Sequence, residues 1–595
     1  MFHGGMTPLS EEETQLKGRA VDYLRRLWPW YRRYLGRALA AGAMLIVTSA
    51  AGLLGPVLIR RAIDSNIAGG DLAGLALTSL IYLGLQSAAF VAAYFQMLWL
   101  FTVGERGAAD IKQQLFRHLL SLPVSYFDRN QVGRLISRVE SDTEALKMLF
   151  TRTSVVLLQS FLMLVGMGVI MATANWRLFL LVAALLPPFV IAFWLFQRKV
   201  RPVYLEVRRA VGDINSLIAE TLQGLPVVQL FRQQARFAGQ MDRLNRRKAR
   251  AEMKATGLWY VVWFLVDFGE IIGFGLVLGV GGLWALRGEL TLGTLFMFVA
   301  YLTRLFGPLR MISDQVNVMQ RAFASAERIF NILDEKPEPP GRPGPGPLVL
   351  RDRIRFDRAS FAYDGGETVL HDIDLEIRKG EKVALVGETG GGKSSLVNIL
   401  LGFYACRAGR VRFDDSDLAD IDRHRLRATF GFVPQEVVLF PGTVVDNLRM
   451  LDDTVSREEV VAAAKRARIH DAILRFPKGY DTNLIERGVN FSLGERQLLA
   501  FARALVRDPQ VLILDEATSS VDPHTEHLIQ EGLVELLAGR TALIVAHRLA
   551  TIRMVDRIVV IHKGRVAEAG GHTELLARRG LYSRLYRLQY VGENG

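Results

Sequence analysis

Four long runs without a charged side chain constrain this chain more than any other feature. About 20 apolar residues cross the hydrocarbon core of a bilayer as an α-helix, and a helix satisfies its own backbone hydrogen bonds there. Pro187 and Pro188 lie inside the last run and predict a kink. The sequence therefore predicts a membrane domain in the first half of the chain. The four runs are Ala38–Ile59, Leu75–Phe101, Thr153–Asn175 and Leu178–Gln197.

Two weaker runs complete a predicted set of six spans. Gly257–Leu286 is long enough but holds Asp267 and Glu270, and the sixth run, which begins at Leu290, is uncharged only as far as Thr303. An even number of spans places both ends of the chain on the same side of the membrane. The predicted spans cover about residues 38–59, 75–101, 153–175, 178–197, 257–286 and 290–312.

Asp267 and Glu270 are three residues apart, so a helix would place both acids on one face. Charged groups inside a span usually face a cavity or a partner charge. Two interpretations stay open. The acids attract cationic substrates in a cavity, or they pair with a neighbouring helix through Arg304 or Arg310.

The loops between the spans alternate in length and charge. Those after the first, third and fifth spans are short, with no Lys or Arg between Ile63 and Gly74 and one Arg in each of the other two, whereas those after the second and fourth run about fifty residues and are rich in both. Positive charge marks the cytoplasmic side, so the long loops, both termini and the second half of the chain are expected in the cytoplasm. The net charge of +13 then follows from membrane topology, and nucleic-acid binding is not expected.

Helical spacing recurs inside the two long loops, at Ala108–Leu122 and at Val203–Phe237. This spacing predicts a helical hairpin in each loop, with a short turn at its tip. Arms of about 25 residues, rising about 1.5 Å per residue, would carry each tip about 40 Å from the bilayer. A tip at that distance could contact another domain.

Segments outside the spans set the expected domain limits. Residues 22–35 mix aromatic residues with arginines, as an interfacial helix does, and no signal peptide is expected ahead of them. Asp334–Pro347 holds six of the 20 prolines and predicts a semi-rigid spacer. We expect a membrane domain over 1–333, a linker over 334–347 and a second domain over 348–595. The single cysteine, Cys406, excludes an internal disulfide.

The second half contains a phosphate-binding loop in its proper context. The short apolar run Lys382–Val386 precedes Gly387-Glu388-Thr389-Gly390-Gly391-Gly392-Lys393-Ser394, and an apolar helix follows from Leu396. Glycines let backbone N–H groups surround phosphate oxygens, and the helix N-terminus attracts anions. Lys393 is expected to hold the β- and γ-phosphates, and Ser394 to ligate magnesium.

A second apolar run, from Val511 to Leu514, ends in the acids Asp515 and Glu516. Acids at the carboxyl end of a strand beside a phosphate loop are placed for metal and water chemistry. Asp515 is expected to hold magnesium, mainly through water, and Glu516 to act as general base toward the attacking water.

The chain at this point resembles the ATP-binding cassette (ABC) exporters, in the half-transporter form with the membrane domain first. The resemblance implies a helical membrane domain with six spans and long cytoplasmic extensions, followed by an α/β P-loop domain that binds ATP and Mg²⁺. ATP contacts are then expected over Gly387–Ser395, including Ser395. Further matches, with the roles they imply, are Tyr363 for adenine stacking, Gln435 in Phe432–Gln435 for metal and water, Asp522 in the Ser519–Asp522 D-loop, His547 in Ala546–Arg548 for the γ-phosphate, Glu486 in Asp481–Gly488 for contact with the membrane domain, and Tyr126–Asp128 with Gly133–Asp142 for the first cytoplasmic loop.

The signature sequence departs from the family pattern. The family reads Leu-Ser-Gly-Gly-Gln where this chain has Phe491-Ser492-Leu493-Gly494-Glu495. Leu493 adds a side chain where backbone would approach the partner's γ-phosphate, and Glu495 adds a negative charge near polyphosphate. Ser492, Leu493, Gly494 and Glu495 would face the partner's ATP. We therefore expect a heterodimer, in which a different subunit supplies an intact signature opposite Lys393 and Glu516; a homodimer that tolerates the variant is the alternative.

The resemblance implies an ATPase coupled to transport in the cytoplasmic membrane. The expected function is export of amphipathic molecules (drugs, lipids or peptides) by alternating access, as one half of a pair. The alternatives are a homodimeric exporter or lipid flippase, a transporter of lipid-linked molecules or siderophores on the same scaffold, and an ATP-gated regulatory or channel member.

Overall fold

The chain forms two compact units in the computed structural model. One comprises residues 1–120 and 132–335, and the other comprises residues 121–131 and 336–595. The second division follows Glu335, inside the proline-rich stretch. The structure describes residues 22–343, 348–363, 365–484, 490–515, 523–546 and 549–588.

The first unit is helical throughout its described part. Residues 22–32 form a helix ahead of the first span. Wider π-helical turns occupy Ala62–Ile67, Arg138–Asp142 and Leu149–Thr153. The α-helices are α1 (Leu35–Arg61), α2 (Leu72–Ser121), α3 (Val124–Arg129, assigned to the second unit), α4 (Val132–Ser137), α5 (Thr143–Met148), α6 (Ser154–Ala174), α7 (Trp176–Ala183), α8 (Leu186–Gln223), α9 (Leu225–Leu230), α10 (Gln234–Leu286) and α11 (Leu292–Leu333).

The apolar helices follow the predicted spans in order. Within the described residues, four stretches are long and apolar enough to cross a membrane, and the shorter apolar helices Trp176–Pro188 and Leu292–Pro308 fall at the fourth and sixth predicted positions. The four stretches are Leu35–Ile67, Leu72–Ser121, Val132–Ala174 and Asp267–Leu286.

The fourth predicted span is interrupted. Helix α7 ends at Ala183 and α8 begins at Leu186. Pro187 and Pro188 lie in the first turn of α8, where a missing backbone N–H removes no intrahelical hydrogen bond. The predicted kink is therefore confirmed as a helix break just ahead of the two prolines.

Both long loops form helical hairpins, as predicted. Helix α2 runs on to Ser121, the short α3 follows, and the chain returns from Val132. In the second hairpin, α8 and α10 pack along each other and α9 forms the tip. The two π-helical turns in the returning arm of the first hairpin were not predicted.

Helix α11 is the centre of the first unit and packs against α1, α5, α6 and α10. Its buried Tyr301 donates a hydrogen bond to the carbonyl oxygen of Leu53 on α1. Further along α11, the Arg328 guanidinium and the Ser325 hydroxyl both donate to Asp142, whose side chain is 10% exposed. These contacts join α11 to the first span and to the first hairpin.

The second unit is an α/β domain. A six-stranded sheet has the order β12-β11-β3-β10-β9-β6, a four-stranded antiparallel sheet has the order β2-β1-β4-β5, and β7 pairs with β8. Its strands are β1 (Arg353–Ala362), β2 (Thr368–Arg378), β3 (Lys382–Val386), β4 (Ala408–Phe413), β5 (Ser416–Asp417), β6 (Phe430–Val433), β7 (Gly442–Thr443), β8 (Asn483–Leu484), β9 (Val511–Asp515), β10 (Thr541–Val545), β11 (Arg557–His562) and β12 (Arg565–Gly570).

Helices cover the six-stranded sheet, whose central strands are buried on both faces, as the apolar runs around Val383 and Leu512 require. The helices are α12 (Lys393–Leu400), α13 (Arg423–Thr429), α14 (Val444–Arg449), α15 (Arg457–Arg466), α16 (His470–Leu474), α17 (Leu493–Val506), α18 (Pro523–Leu537), α19 (Leu549–Ile552), α20 (His572–Ala577) and α21 (Leu581–Tyr586).

Strands β11, β3, β10, β9 and β6 are parallel. Their carboxyl ends therefore lie along one edge of the sheet, and in open α/β sheets ligands bind outside that edge. The phosphate loop after β3, Asp515 at the end of β9 and the segment after β6 all belong to it.

Candidate functional site

The phosphate loop connects β3 to α12, and its backbone requires glycine at two positions. Gly392 has φ of 102°, and a Cβ there would lie 2.5 Å from Leu370 Cδ2. A Cβ on Gly387 would lie 2.1 Å from the carbonyl oxygen of Ile561. Glu388, Thr389 and Gly390 form an exposed crest, whereas Gly391 is buried. The crest therefore offers its backbone to a ligand while the base of the loop packs against neighbouring strands.

Lys393 begins α12 and lies inside the loop. Lys393 is 6% exposed, and its Nζ donates hydrogen bonds to the carbonyl oxygens of Gly387 (2.8 Å) and Glu388 (2.9 Å). Burial lowers the pKa of this amine, and the charge of Asp515 opposes that effect. A phosphate group would supply the full counter-charge that two carbonyl dipoles supply only in part.

Ser394 and Asp515 meet on the metal side of the loop. The Ser394 hydroxyl donates to Asp515 Oδ2 across 3.4 Å, although the two residues are far apart in sequence. Strand β10 lies between β3 and β9, and Val545 pairs with both Leu385 and Asp515. An exposed hydroxyl beside a carboxylate suits Mg²⁺, which binds through one or two carboxylates together with substrate phosphates, so these residues fit the expected ion.

The other predicted catalytic residues follow the same edge of the sheet. Gln435 is exposed two residues beyond β6, the strand next to β9. Glu516, which follows Asp515, and His547, which follows the end of β10 by two residues, lie outside the described residues, as do Asp522 and Glu486. Their predicted roles therefore remain predictions.

Tyr363 stands in an aromatic group beside the loop. Its hydroxyl lies 3.1 Å from Ser395 Oγ, and Tyr363 is 37% exposed to solvent. The Tyr404 ring packs edge to face on it, and the Tyr404 hydroxyl donates to the Asp128 carboxylate. Sequence reasoning did not find Tyr404, because no local pattern marks a residue whose contacts are brought together only by tertiary folding.

The signature segment begins α17 and changes one part of the sequence argument. The Ser492 hydroxyl accepts from the Glu495 backbone N–H (3.2 Å), and the Glu495 carboxylate accepts from the Ser492 N–H (2.8 Å), which is a capping box. Arg475 forms an ion pair with Glu495, whose side chain is 17% exposed. Within the single chain, the helix N-terminus and Arg475 both compensate the Glu495 charge, and the expected effect of that charge on a partner's ATP stays a prediction.

Leu493, the other change in the signature, remains exposed. It is the first residue of α17 and is 47% exposed, and the next residue, Gly494, is buried. A side chain therefore projects where the family pattern has glycine.

The intramembrane acids lie on α10, where Asp267 is exposed and Glu270 partly buried in the single chain. Arg304, one of the two expected partners, donates to the Gly52 carbonyl oxygen on α1 (2.8 Å). Both interpretations of the acids, a cavity for cationic substrates and an ion pair with a neighbouring helix, are therefore left for experiment.

Comparisons with known proteins agree with this architecture. A family model for the ABC transporter transmembrane region matches residues 39–309, and one for the ABC transporter matches residues 370–519. The chain is 34% identical to YfiC of Bacillus subtilis, an uncharacterized ABC transporter ATP-binding protein, over 98% of this chain and 97% of the relative. It is 35% identical to the ATP-dependent lipid A-core flippase of Syntrophus aciditrophicus, over 84% of each chain.

A solved structure gives the same result for the fold. The structure of a bacterial Atm1-family ABC exporter with ATP bound matches with a TM-score of 0.76 and 28% identity, over 93% of this chain and 98% of the other. The match spans both the membrane region and the ATP-binding region of this chain. The chain therefore belongs to the ABC transporter family, as an exporter that carries both regions in one polypeptide and couples ATP hydrolysis to transport.

Proposed function

We propose that the chain is one half of an exporter that moves amphipathic molecules, with lipids as the leading class, across the cytoplasmic membrane. The arrangement of Lys393, Ser394 and Asp515 at one edge of the parallel sheet carries the ATP-dependent part of this proposal. The similarity to a lipid A-core flippase supports the lipid class.

Lys393 would exchange its two loop carbonyls for the β- and γ-phosphates, because an anion compensates a buried ammonium better than neutral dipoles do. Ser394 and Asp515 would hold Mg²⁺, whose charge stabilises the phosphates during transfer. Gln435 would orient the attacking water, Glu516 would accept its proton and His547 would contact the γ-phosphate. The exposed part of the Tyr363 ring would stack on adenine.

Pairing completes the site in this proposal, because the phosphate loop is open to solvent along its crest. We favour a different subunit as the partner, since Leu493 projects where a second ATP would be approached. The capped and ion-paired Glu495 gives no further support to that choice, so the heterodimer now depends on Leu493 alone.

The deciding experiment uses the full chain in nanodiscs, alone and with whichever half-transporter co-purifies with it. We expect Mg-ATP hydrolysis and translocation of a fluorescent phospholipid from the pair, and loss of both in the pair that carries Lys393→Ala. Brisk, cooperative hydrolysis by the chain alone would overturn the heterodimer. Intact hydrolysis without movement of lipid, peptide or dye would overturn the assignment of amphipathic cargo.

The acids on α10 define a test of substrate class. If Asp267 and Glu270 line the cavity, Asp267→Asn with Glu270→Gln should lower transport of cationic dyes at least severalfold while neutral lipids move as before. Unchanged transport of both probes would leave the acids with a structural role.

A further inference from the structure

A cavity of about 570 Å³ lies in the first unit, between the helix 22–32, α2 and α11. Its lining contains three arginines, Arg26, Arg33 and Arg117, against a single acidic residue, Asp110. The rest of the lining is amide, aromatic or aliphatic. The cavity is therefore electropositive, and it is formed by segments far apart in sequence.

Arg26 forms part of the cavity wall, and its charge is already compensated by a carboxylate. Arg26 donates to both carboxylate oxygens of Asp334 at the end of α11 (2.9 and 2.5 Å), and its guanidinium lies 4.1 Å from the Phe330 ring centroid. Trp30 Nε1 donates to Gln114 Oε1 on α2 (2.8 Å). These contacts fix the helix 22–32 against α2 and α11, so the cavity is built in advance of any ligand.

The other two arginines have charge available for a ligand. Arg33 lies 3.6 Å from Asp110, beyond hydrogen-bond distance, and its side chain is 72% exposed. Asp110 already accepts a hydrogen bond from the Tyr34 hydroxyl (3.0 Å). Arg117 is exposed, and within the described part of the chain it makes no hydrogen bond or ion pair. Two guanidinium groups thus border one cavity without a full counter-charge.

The helix 22–32 places this cavity at the membrane surface. Leu24 and Trp28, four residues apart, are 43% and 50% exposed on its outer side, and the exposed Leu35 and Leu39 follow on α1. An exposed apolar stripe next to arginines, at the start of a membrane span, is typical of a helix in the headgroup region. The predicted loop charges put this end of the span on the cytoplasmic side.

We propose that the cavity binds the phosphate headgroup of an anionic phospholipid from the cytoplasmic leaflet, with Arg33 and Arg117 as its ligands. Two guanidinium groups match a phosphate in charge and in hydrogen-bond geometry, and basic pockets between membrane helices on the cytoplasmic side suit anionic headgroups. The acyl chains would lie along Trp28 and Leu39. This lipid is a resident ligand rather than cargo, because the wall of its cavity is fixed by the Arg26–Asp334 pair.

The proposal is tested on the full chain in detergent by thermal unfolding during titration with phosphatidylglycerol, phosphatidylcholine or inorganic phosphate. We expect phosphatidylglycerol to raise the melting temperature more than phosphatidylcholine does. Arg33→Gln with Arg117→Gln should weaken the apparent affinity for phosphatidylglycerol at least tenfold. The Arg33–Asp110 pair is long and exposed and such pairs contribute about 1 kcal/mol or less, so the melting temperature in phosphatidylcholine should change little.

The matched control is Arg25→Gln with Arg32→Gln, which removes the same charge from exposed positions on the helix 22–32 outside the cavity. This pair should retain the affinity of the unmodified chain. Equal weakening in both double variants would show general attraction to a basic surface and overturn the proposal. Equal stabilisation by inorganic phosphate would overturn the assignment to a lipid, because the acyl chains would then contribute nothing.

Discussion

The ring of Tyr404 meets the ring of Tyr363 edge to face, with centroids 5.2 Å apart and planes at 82°. The hydroxyl of the same Tyr404 donates to Asp128 in α3, the helix at the tip of the first hairpin. One side chain therefore joins the aromatic residue proposed to stack on adenine to the tip that this hairpin presents. Both residues of this hydrogen bond belong to the second unit.

Replacing Tyr404 with Phe should separate hydrolysis from transport. The ring contact with Tyr363 remains, whereas the hydrogen bond to a charged acceptor, of about 1.5–3 kcal/mol, is lost. We expect ATPase activity to stay within about twofold and transport to fall roughly tenfold, in proportion to that coupling energy. Both activities are measured in the same nanodisc preparation.

Asp128→Asn serves as the partner variant, and a double-mutant cycle follows. If the pair acts as a unit, the double variant should transport no worse than either single variant. Additive losses would show that the two residues act independently.

Lys393→Ala should abolish most of the ATPase activity. The buried ammonium is the charge proposed to hold the phosphates, and loss of such a group costs roughly 10²–10³-fold in rate. Hydrolysis and nucleotide affinity are measured by phosphate release and equilibrium binding. Lys379→Ala, at an exposed position ahead of β3, is the control and should behave as the unmodified chain does.

Asp142→Asn should destabilise the first unit. Removing one member of a buried ion pair costs about 3–5 kcal/mol, but Arg328 is 46% exposed and water can compensate it, so we expect about 1–3 kcal/mol. The apparent melting temperature in detergent should fall by several degrees. Glu140→Gln, which removes the exposed pair with Lys112, should have little effect, since such pairs contribute about 1 kcal/mol or less.

Two signature variants separate the effects of Leu493 and Glu495. Leu493→Gly removes the projecting side chain and should raise ATPase activity in the assembled transporter. Glu495→Gln should change activity little, because a glutamine also completes a capping box and only an ion pair with the exposed Arg475 is lost. A large gain from Glu495→Gln and none from Leu493→Gly would reverse this assignment.

Cys406 should react slowly with thiol reagents at neutral pH. Burial raises the pKa of its thiol to about 11, and the thiolate is the reactive form. Its alkylation should therefore be roughly 300-fold slower at pH 7 than that of a free cysteine of pKa 8.5, and should rise about tenfold per pH unit up to pH 11. A rate that levels off near pH 8.5 would contradict the raised pKa.

The features that could be predicted are those that local sequence determines. Span length, the charge of the loops and the break ahead of Pro187 depend on residues next to one another. The phosphate loop is equally local, since strand, glycines and helix follow within about twenty residues. The same holds for the hairpins, whose helical spacing is continuous on each side of a short turn.

The features that could not be predicted depend on contacts between distant segments. Tyr404 pairs with Asp128, and Arg475 with Glu495, only after the domain has folded. The ion pair and the capping box of Glu495 therefore could not be read from the signature segment alone. The sequence predicted that acids at a strand end would lie beside the phosphate loop. It did not predict the order of the strands, in which β10 lies between β3 and β9.

The unbroken length of α2 has a mechanical consequence. Its 50 residues contain no proline and extend about 75 Å at about 1.5 Å per residue. A rod of that length acts as a lever: pivoting it by about 10° displaces one end by roughly 13 Å relative to the other. A small rotation at the end near Ser121 would thus move the end near Leu72 by a distance of molecular size.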